Sequence, residues 1–549
     1  MMPEPIEPKS PDASANERPE STQPEPTRQP QTSVPDTLIS VTLALALAFL
    51  FRVYVIEAFV IPTGSMAPTL LGAHYRVRSP DTGAVFAADR RLTETRRGDT
   101  ISDPITNADL PTAGLTRLDG DRIFVRKRTP LSPIPDRFDV VVFRSPTEPD
   151  ERVIKRLIGR PGEQVALVDG DVFVRAADAT APGRPTTWHE QGWSIARKPD
   201  DVQRVTWQPV HDMGRVREPG NTGPWIAESE LWTAGRGAFR FAGDGAGSIR
   251  WDGSAWEIRD RSPYNDIDRR RDQRIGSGGV RSGLSPSYPV SDLRVRFGLE
   301  PTGDADSVGV VFGVRSHEFR VAVDRRGGTA TIRIDRRPDD SDSWIEMASA
   351  QSAVSPGVTT EIDIWHADQA ITVFAGRELV LRAPYDWTIA QRLANAVPGE
   401  TLDTLAEFDD GLNRLSDPER YQLPGIRIDV EGETTLHRIR VDRDLHYHPH
   451  HAQFRITNNP PPLGTHPITT VSLGAGQLWV LGDNSPASRD GRTWGRPDPW
   501  VSHALPRTSA DGILPIELLL GDAFLVYFPA MHQDSLVPVP DFGRIRLIE

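Results

Sequence analysis

At 549 residues, 38% of them hydrophobic and 25% charged, the chain is long enough for several packed domains. A net charge of -13 with no concentrated basic patch excludes a nucleic-acid binder as a class. The absence of cysteine excludes disulfides, thiolate metal sites and a cysteine nucleophile.

Residues 1–35 are rich in Pro, Glu, Ser and Thr and nearly devoid of large apolar side chains, so they are expected to be a disordered tail. Pro35-Asp36 offers a helix start. The run Thr37 to Ile56, "TLISVTLALALAFLFRVYVI", then supplies about 20 predominantly apolar residues, enough at 1.5 Å per residue to cross a bilayer core of about 30 Å. A transmembrane helix is expected over 36–57. The long acidic leader, and an apolar run that continues past the A-x-A-like Ala44-Leu45-Ala46, argue against a cleaved signal peptide. Flanking charge does not decide the orientation.

Beyond the helix the pattern is mainly β. Ile123, Val125 and Lys127 alternate with Arg122, Phe124 and Arg126. Asp139–Phe143 and Val153–Ile158 read as a hairpin, and Asp169-Gly170 marks a tight turn between Val165–Val168 and Val172–Val174. The segment 178–290 is rich in Trp, Gly, Arg and Asp and weakly periodic. From about 290 to 445, short alternating strands with regular turns predict a β-sandwich. Strands return at Gln477–Leu481 and Ala523–Phe528. The resulting domains are 58–177, a β-rich insert at 178–450, and a second part at 451–549.

Just after the apolar run stands "PTGSMAPTL" (62–70), with Ser65 fenced by Pro62 and Pro68. A serine hydroxyl needs a base to become a nucleophile. Ser65 lies in no G-x-S-x-G elbow, and most of the 13 histidines fall far along the chain. Lysine is the alternative base, because burial can lower its pKa whereas arginine stays charged. Only four of the 63 basic residues are lysines. Lys155, between Ile154 and Leu157 in an apolar strand, and Lys127 are the two candidates.

Four stretches in order resemble the bacterial type I signal peptidases, membrane-bound Ser-Lys proteases. They are "PTGSMAPTL", "GDRIFVRK" (120–127), "VIKRLIGRPGE" (153–163) and "GDNSPASRDGRTWG" (482–495), with "LLLGDAFLVYFP" (518–529) like the closing strand. The resemblance covers roughly 36–176 and 464–530. It implies an antiparallel catalytic β-sheet split by the insert and removal of signal peptides from exported proteins at the outer membrane surface. Ser65 is the implied nucleophile, and the base falls on Lys155 rather than Lys127. Thr63, with the Ser65 N–H, would form the oxyanion hole. Ser488 would orient the Lys155 amine. Asp490 and Arg492 would pair, supported by Asp483 and Asn484. Phe59, Ile61, Pro62 and Ile154 would line shallow pockets for small substrate side chains. No cofactor and no metal are implied. The implied partners are signal peptides of preproteins and the bilayer, and the implied location is the cytoplasmic membrane with the N-terminus inside and the catalytic domain outside.

Two features depart from the family pattern. Ser79-Pro80-Asp81-Thr82-Gly83 and Ser102-Asp103-Pro104-Ile105-Thr106 stand where planctomycete-like relatives carry cysteine pairs. The insert is also far longer than usual, and its "TTEIDIWHADQAITVFAGRELVLR" (359–382) resembles a concanavalin/laminin-G-type jelly roll, a class that includes carbohydrate binders. Its place between motifs predicts that it can be removed without loss of catalysis.

Overall fold

The structure, a computed structural model, describes residues 34–89, 100–106, 108–112, 115–129, 131–177, 187–216, 220, 222–265, 287–302, 305–326, 328–354, 357–409, 412–449, 461–528 and 544–548. The expected disordered tail, and the domain boundaries expected near 178 and 450, fall outside these residues or at their edges. The Val34–Tyr54 helix stands as one unit and residues from Val55 onward as another. The helix is apolar all round, with no charged side chain after Asp36 until Arg52 in its last turn. It is long and apolar enough to cross a membrane.

The second unit begins with an antiparallel sheet. Its strand order is Ile56–Val60, Arg122–Lys127, Leu519–Phe528, Val140–Arg144, Arg152–Gly159, Gln477–Leu481 and Leu514–Pro515, with Arg546–Leu547 added beside Leu519–Phe528. Strands from both ends of the unit thus interleave, and the middle of the sequence leaves and returns between them. Val140–Arg144 pairs with Arg152–Gly159 so that Val141 faces Lys155 in register, as the hairpin pattern predicts. A smaller sheet carries the Glu163–Val168 and Asp171–Ala176 hairpin around Asp169-Gly170. The Ser79 and Asp103 segments are tied by local hydrogen bonds and to each other, Thr82 Oγ1 donating to Asp103 Oδ2 at 3.4 Å. Ile105 N donates to Asp103 Oδ1 at 2.7 Å, and Thr82 N donates to Ser79 Oγ at 3.2 Å.

The inserted region is a two-sheet sandwich, one sheet of eight strands and one of seven among the described residues. Inward side chains from both share one core, including Phe239, Val295, Phe297, Ile364 and Val441 from one sheet and Ile249, Phe312, Val321, Ile332 and Ile428 from the other. The sandwich starts earlier than its expected onset at 290. Gln208–Asp212, Trp232–Gly235 and Ala238–Phe241 join the eight-stranded sheet, and Trp225–Ala227 and Ala246–Trp251 join the other. These strands are three to six residues long. A run that short shows little alternation in sequence; Gln208–Asp212 and Ala238–Phe241 are held by Thr434–Arg443, and Ala246–Trp251 by Gly425–Glu431, while Trp232–Gly235 and Trp225–Ala227 pair outside Ala238–Phe241 and Ala246–Trp251.

The sandwich is not an independent bead. Ala166, Val168 and Phe173 of the small hairpin share a core with Trp188, Tyr288, Ile389, Leu393 and Leu405. At the hairpin tip, buried charges interlock: Arg315 Nε reaches Asp169 at 2.5 Å and its Nη1 reaches Asp292 at 3.1 Å, while Arg392 Nη2 reaches Asp171 at 2.5 Å. A charge buried in such a set is costly once its partner is gone. Replacing Arg315 with Met is expected to lower the stability of the full chain by about 3–5 kcal/mol, because Asp169 and Asp292 lose a shared counter-charge; chemical denaturation followed by tryptophan fluorescence measures it.

Candidate active site

Ser65 sits in a single tight turn, Gly64–Met66, that follows directly from the edge strand Ile56–Val60. The turn is held from both sides. Ile61 N donates to Asp121 O at 2.9 Å, and the Asp121 carboxylate receives Leu71 N at 2.9 Å. From the other side, Asn484 N donates to Ser65 O and Asn484 Nδ2 to Gly64 O, both at 3.0 Å. This contact needs a bare backbone at Gly482, where a Cβ would lie 2.4 Å from Ser65 O and 2.2 Å from Ser488 Oγ.

Lys155 projects from the Arg152–Gly159 strand. Its Nζ lies 2.7 Å from Ser65 Oγ and 3.0 Å from Ile154 O. Both side chains are buried, Ser65 7% and Lys155 3% exposed. Burial pulls the Lys155 amine down to about 8; Asp490 and Asp483 act in the opposite sense, and Arg492 adds to the fall. The rival lysine is elsewhere: Lys127 pairs with Glu57 at 3.0 Å, at a partly exposed position.

The 482–495 loop supplies the floor of the site. Arg492 grips Asp490 through two bonds of 2.9 and 2.8 Å, and Gly482 N adds a third at 3.0 Å. Burial alone would raise the Asp490 carboxyl, but Arg492 outweighs it and leaves the group below its ordinary range. Asp483 is taken by Arg156, at 2.8 and 2.7 Å, with both side chains fully buried. Arg156 is a site residue that the sequence reading passed over. Its one signal was a cation directly after Lys155 in the buried part of the strand.

One expected contact is not made. The Ser488 hydroxyl, fully buried beside Gly482, has no hydrogen bond to Lys155, whose amine is already occupied by Ser65 and by the Ile154 carbonyl. The other expected residues do converge on one end of the large sheet. Thr63 is exposed at the head of the turn, and its side chain caps nothing. Ile61 and Ile154 belong to one apolar cluster with Met66 and Val142; Phe59 packs on it under the Arg152 guanidinium, and Pro62 is exposed.

Residues 111–235 match the family described as Signal peptidase, peptidase S26. Over 130 residues, the chain is 33% identical to Signal peptidase I of Rickettsia bellii (strain OSU 85-389), a match covering 24% of this chain and 36% of that protein. The corresponding figures for Signal peptidase I of Rickettsia rickettsii (strain Sheila Smith) are 32%, 24% and 39%. Over that part of its length, this chain is similar to the bacterial type I signal peptidases. It spans little more than a third of the length of these curated relatives. Among solved structures, carbohydrate binding module CBM66 from Bacillus subtilis is similar over 40% of this chain and 97% of its own, at 9% identity and a TM-score of 0.23. A laminarinase from Rhodothermus marinus is similar over 43% and 98%, at 10% identity and a TM-score of 0.26.

The buried amine has a measurable consequence for stability. The folded chain holds the Lys155 proton more weakly than the unfolded chain does, with a pKa of about 8 against an ordinary value of 10.5. Below pH 8 both states carry the proton and the folded state bears the full cost. Between about 8 and 10.5 the unfolded state binds more protons, so this cost fades as pH rises. Lys155→Met is therefore expected to be more stable than the parent at pH 7 by about 3 kcal/mol, with the difference shrinking toward pH 10.5, as read by denaturant midpoints at the two pH values.

Proposed function

We propose that this chain is a membrane-anchored serine endopeptidase that removes N-terminal signal peptides from exported proteins by a Ser-Lys mechanism. The observation that carries the reading is the 2.7 Å approach of the Lys155 amine to the Ser65 hydroxyl in a buried site. An amine this close, with its pKa pulled down to about 8, is neutral in a useful fraction near working pH and can accept the hydroxyl proton. Ser65 Oγ then bonds to the scissile carbonyl carbon. The negative oxygen that forms is received by the Ser65 N–H and the Thr63 hydroxyl. Collapse breaks the C–N bond, and the Lys155 ammonium returns its proton to the departing amine. Water, deprotonated by the same lysine, releases the acyl group from Ser65.

The supporting residues keep that amine usable. Asp490, clamped by Arg492, and Asp483, clamped by Arg156, hold the loop against the back of the turn. Because each carboxylate is already neutralised by an arginine, its pull on Lys155 is partly cancelled, and desolvation dominates. Phe59 and Pro62 are the accessible edge of the apolar cluster completed by Ile61 and Ile154, and they receive small side chains ahead of the cleaved bond. The sequence leaves only ten residues between Tyr54 and Ser65, which fits a substrate that is itself threaded through a bilayer. In this reading the protein lies in the cytoplasmic membrane, with its N-terminus inside and residues 58–177 and 451–549 acting outside.

Purified chain in detergent, given a preprotein with small residues before its cleavage site, should release the signal peptide. Ser65→Ala should reduce turnover at least about a thousand-fold. Lys155→Arg should match it, since a guanidinium remains protonated, whereas Lys127→Arg should stay active. In the parent, kcat/KM should climb with pH and level off above a midpoint near 8, as Lys155 becomes neutral. A folded Lys155→Arg variant that turns over substrate, or a profile falling through that range, would overturn the mechanism.

A further inference from the structure

The sandwich region reaches the nucleophile. Its inner strand Ala246–Trp251 runs on into a strap that ends in the turn Pro263–Asn265. Tyr264 is buried against Ala67 and Leu71, on either side of Pro68 just past Ser65. Its ring lies so close to Gly64 that a Cβ there would be 2.1 Å from Tyr264 Cε1, so the residue before Ser65 is glycine where the strap demands it. Asn265 and Asn484 exchange side-chain hydrogen bonds, Asn265 Nδ2 to Asn484 Oδ1 at 2.6 Å and Asn484 Nδ2 to Asn265 Oδ1 at 3.0 Å. Asn484 is the same residue whose N–H and amide hold Ser65 O and Gly64 O.

The strap is itself anchored at several points. Asp260 N donates to Tyr288 O at 2.9 Å, and the Asp260 carboxylate receives Tyr288 N at 2.6 Å and pairs with His448. Arg443 Nη2 donates to Arg261 O at 2.9 Å. His448 in turn is tied to the catalytic loop, with its N–H on Ser485 Oγ at 2.8 Å and its carbonyl accepting from Arg492 at 3.2 Å. An unbroken line of bonds therefore runs from the sandwich to the turn that carries Ser65. These contacts run against the removability expected from the sequence.

We propose that the strap 260–265 is a positioning element for Ser65, with Tyr264 and Asn265 fixing the Gly64–Ser65 backbone so that the hydroxyl stays in line with Lys155. This rests on the Ser65–Lys155 protease reading. Neither side chain acts on substrate. Asn265 works through Asn484, and Tyr264 works through Gly64. The sandwich is thereby made a working part of the peptidase, which would stall if the strap were displaced.

The test uses full-length protein in detergent with the preprotein substrate. Asn265→Ala removes both exchanged bonds and is expected to lower kcat about 10-fold or more while KM stays within about twofold, with the thermal unfolding midpoint unmoved. Tyr264→Ala should lower kcat further, and Tyr264→Phe, which keeps the ring, should restore it. Leu379→Ala, at an exposed point of the sandwich, should match the parent. Wild-type kcat in both Asn265→Ala and Tyr264→Ala overturns the proposal, as does a loss confined to KM or one that tracks a fallen midpoint in Asn265→Ala. A parent with no turnover beyond that of Ser65→Ala overturns the protease reading itself, an outcome distinct from an active parent with indifferent strap variants.

Discussion

The site depends on holding an amine out of water. A lysine in the middle of a strand, buried to 3% exposure, would ordinarily be a defect. Here it is placed against a hydroxyl and a backbone carbonyl, at 2.7 and 3.0 Å, which gives it partners without giving it a full counter-charge. A carboxylate in direct contact would keep it protonated. The two nearby carboxylates, Asp483 and Asp490, are each occupied by an arginine instead. The arrangement thus separates charges that pair from the one amine that the proposed mechanism requires to lose its proton.

Everything around that amine is fixed by groups from distant parts of the chain. The turn bearing Ser65 is held by Asp121 on one side and by Asn484 on the other. The loop bearing Asn484 is held by Arg156 and Arg492, and the strap leans on both the turn and the loop. A hydroxyl displaced by even 1 Å from its base loses much of its advantage in proton transfer, so under the proposed mechanism this redundancy of support has a reason. The insertion of a large sandwich into the sheet has not loosened this support. Its buried ion pairs at the hairpin tip, Arg315 with Asp169 and Arg392 with Asp171, set one register between sandwich and hairpin, because a shift would strand charges in a dry interior.

Much of this was legible in the order of residues. Local signals are strong where the chain's own period or chemistry decides: the apolar run at 37–56, the hairpins around Asp169-Gly170 and between Val140–Arg144 and Arg152–Gly159, and a lone lysine in an apolar strand. The Ser65–Lys155 contact itself was anticipated from Ser65 between prolines and Lys155 in its strand. The short tryptophan-rich strands between 208 and 251 were not, because three to six residues carry too little alternation to show which face is buried.

What the sequence determined by itself was chemistry: which groups could be nucleophile and base, the length of the apolar helix, and the predominance of strands. Tertiary structure alone decided who touches whom. Lys127 and Lys155 lie in equally β-like segments, and only the sheet order sends one to Glu57 and the other to Ser65. Ser488 and Arg156 changed roles for the same kind of reason, one hydroxyl turned to Asp490 rather than Lys155 while an unremarked guanidinium took Asp483. The reach of Tyr264 and Asn265 to the turn bearing Ser65 had no signal at all in the sequence. Those residues stand about 200 positions from Ser65, and contacts at such separation are chosen by the packing of finished sheets, not by the neighbours of each residue along the chain.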